Sequence, residues 1–197
     1  MTIIGILGIQ GAIEEHIHLI EKIPNTKAKV VKTLVALDEI DGLILPGGES
    51  TAMARVLKDF EMIAPLRKKI NDGLPTWGTC AGMILLAKEI SNGDPTILGT
   101  MDITVKRNAY GRQLDSFITH EIIASVYSQP IPLVFIRAPF VEKVGNDVTV
   151  LHTVKGKIVA CREKNMLATS FHPELTNNTA FHQYFVDMIK EVKSCKK

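Results

Sequence analysis

The sequence predicts an α/β protein with a mixed, mostly parallel central sheet flanked by helices. Residues 3–9 form an apolar run of the kind found in a parallel strand covered on both faces. Through about residue 90, such strands alternate with helical patterns, as in parallel sheets with right-handed crossovers. From residue 97 to 171 strands follow one another with few helical repeats, so we expect this part of the sheet to be mixed.

The first half of the chain alternates strands and helices. Strands are predicted at 3–9, 29–31 and 41–45 and just before Cys80. The first helix carries apolar residues at helical spacing from Ile13 to Ile23 and is stopped by Pro24. Further helices are predicted from residue 49 to about 57, around residues 62–70, and directly after Cys80.

The second half is predicted to hold six strands and a final amphipathic helix. The strands are expected at 103–105, 117–123, 133–136, 148–153, 157–160 and 167–171, and the helix at 181–192. We find no linker, low-complexity segment or internal repeat, so we expect a single domain over residues 1–197.

Composition and charge exclude several classes of protein. The chain is 46% hydrophobic and 22% charged, as in an ordinary globular protein. Its net charge is +2, with basic residues scattered among 21 acids, so we expect no nucleic-acid partner. There is no charged segment of a signal peptide at the start and no apolar run long enough to span a bilayer. We therefore expect a cytoplasmic protein without membrane contact.

The cysteines and histidines predict no metal site. Three cysteines, Cys80, Cys161 and Cys195, form no C-x-x-C pair, which argues against a disulfide framework or a zinc knuckle. His16 and His18 are close in sequence, but residues two apart on a helix point in different directions.

Cys80 lies on a predicted strand-to-helix turn. Gly78 and Gly82 flank it at −2 and +2, the spacing of the G-x-S-x-G nucleophile elbow with sulfur in place of oxygen. A nucleophile on such a turn has strained backbone angles, and the glycines remove side chains that would collide. The following helix N-terminus favours thiolate over thiol. The spacing indicates a catalytic nucleophile; the alternative is a buried cysteine that only packs.

His172 and Glu174 supply the groups that a cysteine nucleophile needs. If the chain stays extended through Pro173, both side chains leave the same face. The histidine would take the thiol proton and return it to the leaving amine, while the carboxylate orients the ring and stabilises the imidazolium. We predict a triad of Cys80, His172 and Glu174, the alternative being a surface turn.

Gly47 and Gly48 lie between a predicted strand and a predicted helix. Backbone N–H groups in such a loop are free to approach a ligand oxygen, as an oxyanion hole requires. The loop lacks the lysine of a phosphate-binding P-loop, so a nucleotide site is weakly supported. The alternative is a loop whose glycines serve the connection alone.

The motifs together resemble a known family. The elbow, the glycine loop and the His172–Glu174 stretch resemble class I, or triad, glutamine amidotransferases. Five motifs look more specifically like the glutaminase subunit of pyridoxal 5′-phosphate synthase, in the correct order from residue 3 to about 175. These are Gly8–Ala12, Leu45–Thr51, Arg107–Gln113, Phe135–Pro139 and Ser170–Leu175.

The resemblance implies a three-layer, flavodoxin-like amidotransferase fold and a set of substrate-binding residues. Many class members carry a glutamine four residues after the nucleophile, where this chain has Ile84, so other groups must recognise the substrate. An arginine suits an α-carboxylate, and Glu49 suits an α-ammonium group. The family places substrate contacts at Gly48, Glu49, Ser50, Arg107, Ile136 and Arg137.

The predicted activity is hydrolysis of L-glutamine to L-glutamate and ammonia through a γ-glutamyl thioester on Cys80. The N–H groups of Gly48 and Ala81 are expected to hold the oxyanion. The resemblance implies that ammonia passes to a synthase subunit, within a hetero-oligomer, that builds pyridoxal 5′-phosphate; this chain is expected to bind no cofactor. Two alternatives stay open: a glutaminase serving another synthase, such as that for imidazole glycerol phosphate, or a non-catalytic glutamine-sensing subunit.

The glycine loop also predicts control by the partner. Since glycine tolerates both signs of φ, the segment Pro46–Gly48 can flip a peptide, so that either a carbonyl or an N–H occupies the oxyanion position. Gln10, which the pattern places at the end of the first strand, is expected to hold this loop and sense the partner. Low activity is expected of the isolated chain.

Overall fold

The computed structural model describes residues 1–91, 93–107 and 116–194. Of the predicted motif at 107–113, only Arg107 is among the described residues. Cys195 also lies outside them. The strands are β1 (Thr2–Leu7), β2 (Thr26–Val31), β3 (Gly42–Leu45), β4 (Thr76–Thr79), β5 (Ala87–Ile90), β6 (Met101–Lys106), β7 (Ser116–Ile123), β8 (Tyr127–Ile136), β9 (Phe140–Val144), β10 (Thr149–Val154), β11 (Lys157–Glu163) and β12 (Met166–Thr169). The helices are α1 (Ile13–Glu21), α2 (Ser50–Asp59), α3 (Ile63–Asn71), α4 (Ala81–Leu86) and α5 (Ala180–Ser194).

Ten of the described strands form one sheet. Its order is β2-β1-β3-β4-β12-β11-β9-β6-β5, with β10 paired to β11. The first five strands of this order run parallel to one another. Strand β11 is antiparallel to β12, β9 and β10, and β7 and β8 form a separate antiparallel hairpin. The predicted mixed sheet is confirmed.

Apolar side chains cover both faces of the sheet. On one face, Leu57 of α2 and Leu66 of α3 belong to the same buried cluster as Leu45 of β3. On the other face, Ile20 of α1 and Phe185 of α5 belong to a second cluster. Burying each such side chain contributes roughly 1.5–3 kcal/mol. Two helical layers around one sheet are the three-layer arrangement that the resemblance implies. No helix within the described ranges is long and apolar enough to cross a bilayer.

Several element boundaries differ from the sequence-based prediction. Strand β1 ends at Leu7 instead of Ile9, because the chain turns at once toward α1. Strands β5 and β9 were not predicted. Strand β5 follows α4 without any turn residue, so the apolar run resembles one longer helix. Strand β8 is longer than predicted and contains Pro130 and Pro132, which are tolerated because β8 lies in a two-stranded ribbon.

The parallel strands place four loops at one edge of the sheet. Strands β1, β3, β4 and β12 are neighbours in space, and their carboxyl ends lie at the same edge. This edge is where open α/β sheets bind ligands. The segments that follow these strands are Gly8–Ala12, Pro46–Glu49, Cys80 and Ser170–His172.

Candidate active site

Cys80 occupies a strained turn between β4 and α4. Its backbone has φ of 47° and ψ of −102°, a conformation that side-chain-bearing residues rarely adopt. A β-carbon on Gly78 would lie 2.4 Å from the carbonyl carbon of Gly82, and one on Gly82 would lie 2.0 Å from the Leu45 carbonyl oxygen. Both flanking glycines are therefore sterically required, as their spacing predicts.

His172 and Glu174 are in contact directly after β12. The Nδ1 atom of His172 lies 2.8 Å from Oε1 of Glu174, and both side chains are buried. The chain does not stay extended through Pro173, because Pro173–Leu175 forms a 3₁₀ turn. Proline favours the first position of a helical turn, where its fixed φ fits and its missing N–H is not needed. The turn still brings imidazole and carboxylate together.

The charge state of His172 depends on its two neighbours. Burial lowers the pKa of His172, but hydrogen bonds to Cys80 and Glu174, and the negative charges of both, outweigh burial and raise it above the ordinary value. The imidazolium is therefore favoured beside Cys80 at neutral pH. The thiol of Cys161 has no such imidazolium beside it. Burial and then the charge of Glu163 raise its pKa to about 12 and leave it protonated.

The glycine loop packs closely against the first loop of the chain. A β-carbon on Gly11, whose φ is 104°, would lie 1.7 Å from the Gly47 carbonyl oxygen, so this carbonyl faces Gly11. In a trans peptide the next N–H, that of Gly48, points the opposite way. A β-carbon on Gly47 would lie 2.4 Å from Cε1 of His172. Gln10 is exposed and lies in the turn after β1, three residues beyond the strand's last residue, Leu7.

A pocket of about 510 Å³ opens beside Cys80 and His172, within the usual size range of small-molecule sites. All six residues that the resemblance assigns to the substrate lie along it. Gln10, Gly47 and Glu174 are outside the lining. The other lining residues are Gly48, Glu49, Ser50, Ala81, Ile84, Arg107, Ile136, Arg137 and Pro139.

The charged side chains of the pocket differ in their hydrogen bonds and ion pairs. The Glu49 carboxylate accepts hydrogen bonds from the N–H groups of Thr51 and Ala52 at 3.1 and 2.7 Å and caps α2. Arg107 donates to Asp94 at 2.9 Å, and its Nη2 lies 3.7 Å from Glu49. Arg137 has φ of 43° and an exposed side chain, and it forms no ion pair with any residue that the structure describes.

Two buried histidines adjoin the triad and were missed by the sequence analysis. Nε2 of His16, on α1, lies 3.6 Å from Oε2 of Glu174, and its Nδ1 lies 2.9 Å from Nε2 of His182 on α5. No local motif joins residues 166 positions apart. The helical spacing of His16 with Ile20 does predict its burial. Within the described residues, no group of three or more His, Cys, Asp or Glu side chains is arranged to hold a metal.

By class, this is an α/β protein with the cysteine elbow and buried imidazole–carboxylate pair of a thiol acyl-transfer enzyme. Comparison with protein families narrows the class. Residues 6–191 match the model of the SNO glutamine amidotransferase family, and the chain belongs to that family.

Curated relatives match over nearly the whole chain. The pyridoxal 5′-phosphate synthase subunit PdxT of Ruminiclostridium cellulolyticum is 57% identical over 189 residues, which cover 96% of this chain and 100% of that protein. The PdxT subunit of Clostridium botulinum is 52% identical over 187 residues, or 95% and 97% of the two chains. A solved glutamine amidotransferase structure superposes with a TM-score of 0.88 at 36% identity, covering 95% of this chain and 98% of that one.

Proposed function

We propose that this chain is the glutaminase subunit of a pyridoxal 5′-phosphate synthase, with Cys80, His172 and Glu174 as its triad. One observation carries the assignment of the triad. A cysteine in strained backbone lines the same substrate-sized pocket as a histidine that is held by a buried carboxylate. The names of the curated relatives support the choice of synthase.

The first half-reaction transfers the γ-glutamyl group to sulfur. Sγ of Cys80 attacks the side-chain amide carbon of glutamine, and a C–S bond forms as the carbonyl becomes a tetrahedral oxyanion. The imidazolium of His172 gives its proton to the amide nitrogen, the C–N bond breaks, and ammonia leaves. Glu174 stabilises the imidazolium before this transfer.

The second half-reaction hydrolyses the thioester. Neutral His172 takes a proton from a water molecule, whose oxygen attacks the thioester carbon. The C–S bond then breaks, glutamate leaves, and the Cys80–His172 pair returns to its starting charge state.

We assign the oxyanion to two backbone N–H groups. The first is that of Ala81, at the start of α4 and on the pocket wall. The second is that of Gly48, which points away from Gly11 because the preceding carbonyl faces Gly11. One such donor contributes about 10²–10³ to the rate in other hydrolases.

The pocket offers charges of both signs to the amino-acid end of glutamine. Arg137 is exposed and has no ion-pair partner in the described part of the chain, so we assign it the α-carboxylate. The Glu49 carboxylate, fixed by its cap on α2, is assigned the α-ammonium group. Arg107 supports Glu49 from 3.7 Å and adds to the positive potential around the carboxylate.

Two other functions give different experimental results. A glutaminase of another synthase would have the same chemistry but a different partner. A non-catalytic glutamine sensor would bind the substrate and release no ammonia. The relatives named PdxT favour the proposed partner over both.

The proposal is tested by ammonia release from glutamine, measured with the purified chain, with and without a pyridoxal 5′-phosphate synthase partner subunit. We expect release in the complex and its loss in Cys80→Ala. Cys161→Ala is the matched control, because this buried thiol lies outside the pocket. Substantial ammonia release by pure Cys80→Ala would exclude Cys80 as nucleophile, and no release by the wild-type complex would favour the sensor.

A further inference from the structure

Two buried histidines, His16 and His182, extend from the triad carboxylate Glu174 on the side away from His172. Nε2 of His182 lies 2.9 Å from Nδ1 of His16, and Nε2 of His16 lies 3.6 Å from Oε2 of Glu174. The other carboxylate oxygen, Oε1, contacts His172. Oε2 of Glu174 is fully buried and has no hydrogen bond within 3.5 Å in the described residues. His16 therefore faces the free oxygen of the carboxylate that holds the catalytic histidine.

The contacts select one tautomer for each of the two histidines. If Nε2 of His16 carries its proton, it presents an N–H to Glu174, and its bare Nδ1 accepts from Nε2–H of His182. The bare Nδ1 of His182 is then the buried atom without a partner. In the opposite arrangement, a bare nitrogen of His16 would face the carboxylate and a buried N–H of His182 would be unpaired. An unsatisfied buried N–H and a repulsive contact both cost stability.

The surroundings hold both rings in place and keep them uncharged. Trp77 meets His16 and His182 edge-on, with ring centroids 5.8 and 4.9 Å apart. Burial, and then the charges of His182 and His172, lower the pKa of His16. Burial lowers the pKa of His182 to about 3. The Thr79 hydroxyl oxygen, 3.5 Å from Nε2 of His16, is a second acceptor for the same N–H.

We propose that His16 is a positioning residue that directs an N–H at Oε2 of Glu174 and so keeps Oε1 aligned with His172, while His182 fixes the tautomer of His16. The inference rests on the proposed glutaminase function for its kinetic consequence. The separation of 3.6 Å exceeds a normal hydrogen bond. Such contacts in free enzymes often shorten in the substrate complex.

The kinetic test compares His16→Leu with His16→Gln in the complex with the synthase subunit. Gln retains an N–H at about the position of Nε2, whereas Leu has a similar size and no donor. We expect His16→Leu to lower kcat about 10–100-fold, the range known for residues that orient metal-binding histidines. KM should change less than about twofold, and His16→Gln should recover most of kcat. The matched control is the same pair of changes at His18, which is exposed on α1.

Equal kcat losses in His16→Leu and His16→Gln would overturn the proposal, as would an unchanged kcat in His16→Leu. Trp77 is the one tryptophan of the chain and is fully buried. Its fluorescence therefore reports whether each variant is folded. If His16→Leu does not fold, the Gln variant and the tautomer measurement decide.

The tautomers can be measured without any activity, by ¹H–¹⁵N NMR correlations that distinguish the two ring nitrogens of each histidine. We expect both His16 and His182 to be protonated at Nε2 and bare at Nδ1. A proton on Nδ1 of His16 would overturn the proposal even in an active enzyme. If the tautomers are as expected but the complex with the synthase subunit releases no ammonia, the positioning contacts stand and the proposed glutaminase function is contradicted.

Discussion

His172 joins Cys80 to Glu174, and its protonation can be observed directly. We expect its Cε1–H resonance to titrate above pH 6.5, because hydrogen bonds to Cys80 and Glu174 raise its pKa against the effect of burial. In Cys80→Ala one of these hydrogen bonds is lost while burial remains, so the midpoint should fall. An unchanged midpoint in Cys80→Ala would show that the thiol and the imidazole do not interact.

The two pocket arginines should affect substrate affinity unequally. Arg137→Ala should raise KM for glutamine about ten- to a hundred-fold, since a hydrogen bond to a charged group is worth about 1.5–3 kcal/mol. Arg107→Ala should also raise KM, but less, because Arg107 is already paired with Asp94. Steady-state kinetics of both variants in the complex provide the measurement. Unchanged KM in both would contradict the assignment of these positions.

The pocket residues were predictable because they belong to local motifs. Cys80 is identified by glycines two residues away, and His172 by a carboxylate two residues on. His16 carries no such signal, because its partners Glu174 and His182 come from the other end of the chain. Only packing α1 and α5 on the same face of the sheet brings them together.

A side chain at Gly82, the second glycine of the elbow between β4 and α4, should destabilise the protein. In Gly82→Ala the new methyl group would overlap the Leu45 backbone oxygen of β3, which cannot move without disturbing the sheet. We expect a loss of about 1–3 kcal/mol in the free energy of unfolding, as for other overpacked sites. Gly48→Ala is the comparison, since its nearest new contact is Met53 Sδ at 3.4 Å. Urea denaturation should show a much smaller loss there, and equal losses would refute the steric explanation.

Elements with strong periodicity were predicted well, and those without it were not. Helix α5 and the central strands β1 and β3 have clear helical spacing or continuous apolar runs. Strand β9, by contrast, alternates only partly between buried and exposed positions. Its pairing with β6 and β11 depends on partners 17 or more residues away, which no local pattern shows.

The whole molecule should lose stability in mild acid. Because burial lowers the pKa of His16 and His182, the unfolded chain binds more protons than the folded chain below about pH 6.5. Stability should therefore fall as pH falls, by about 1.4 kcal/mol for each histidine between pH 7.5 and 5.5. His172 acts in the opposite direction, because its raised pKa keeps it protonated in the folded chain while the unfolded chain gains this proton over the same range. It offsets about 1.4 kcal/mol, so the expected net loss is about 1.4 kcal/mol.

Urea denaturation of the wild type at pH 7.5 and 5.5 measures this effect. In His182→Leu one buried histidine remains to oppose His172, so the net loss of stability should nearly vanish. The same pH dependence in His182→Leu and the wild type would contradict the assignment to these histidines.

The assembled enzyme should be more active than the chain alone. The Gly47 carbonyl faces Gly11 in this structure, and rotation of the peptide between Gly47 and Gly48 would exchange N–H for carbonyl at the oxyanion position. We expect the free chain to populate the rotated peptide and the synthase subunit to favour the orientation seen here, which should raise kcat by about 10²–10³, the effect of one oxyanion donor. The increase should be reduced in Gln10→Ala, whereas Gly47→Ala should lower turnover with and without the partner, because its methyl group would lie 2.4 Å from Cε1 of His172. Equal turnover by the free chain and the saturated complex would exclude this control.

The pairing of β4 with β12 determines when the protein becomes chemically competent. These neighbouring parallel strands are far apart in the chain: Trp77 and Thr169, which share a hydrogen bond, are separated by 92 residues. During synthesis the ribosome therefore incorporates Cys80 long before His172. Since such distant contacts form late and slowly, a partly synthesised chain carries an unactivated cysteine. A truncated chain that ends before His172 is therefore expected not to hydrolyse glutamine.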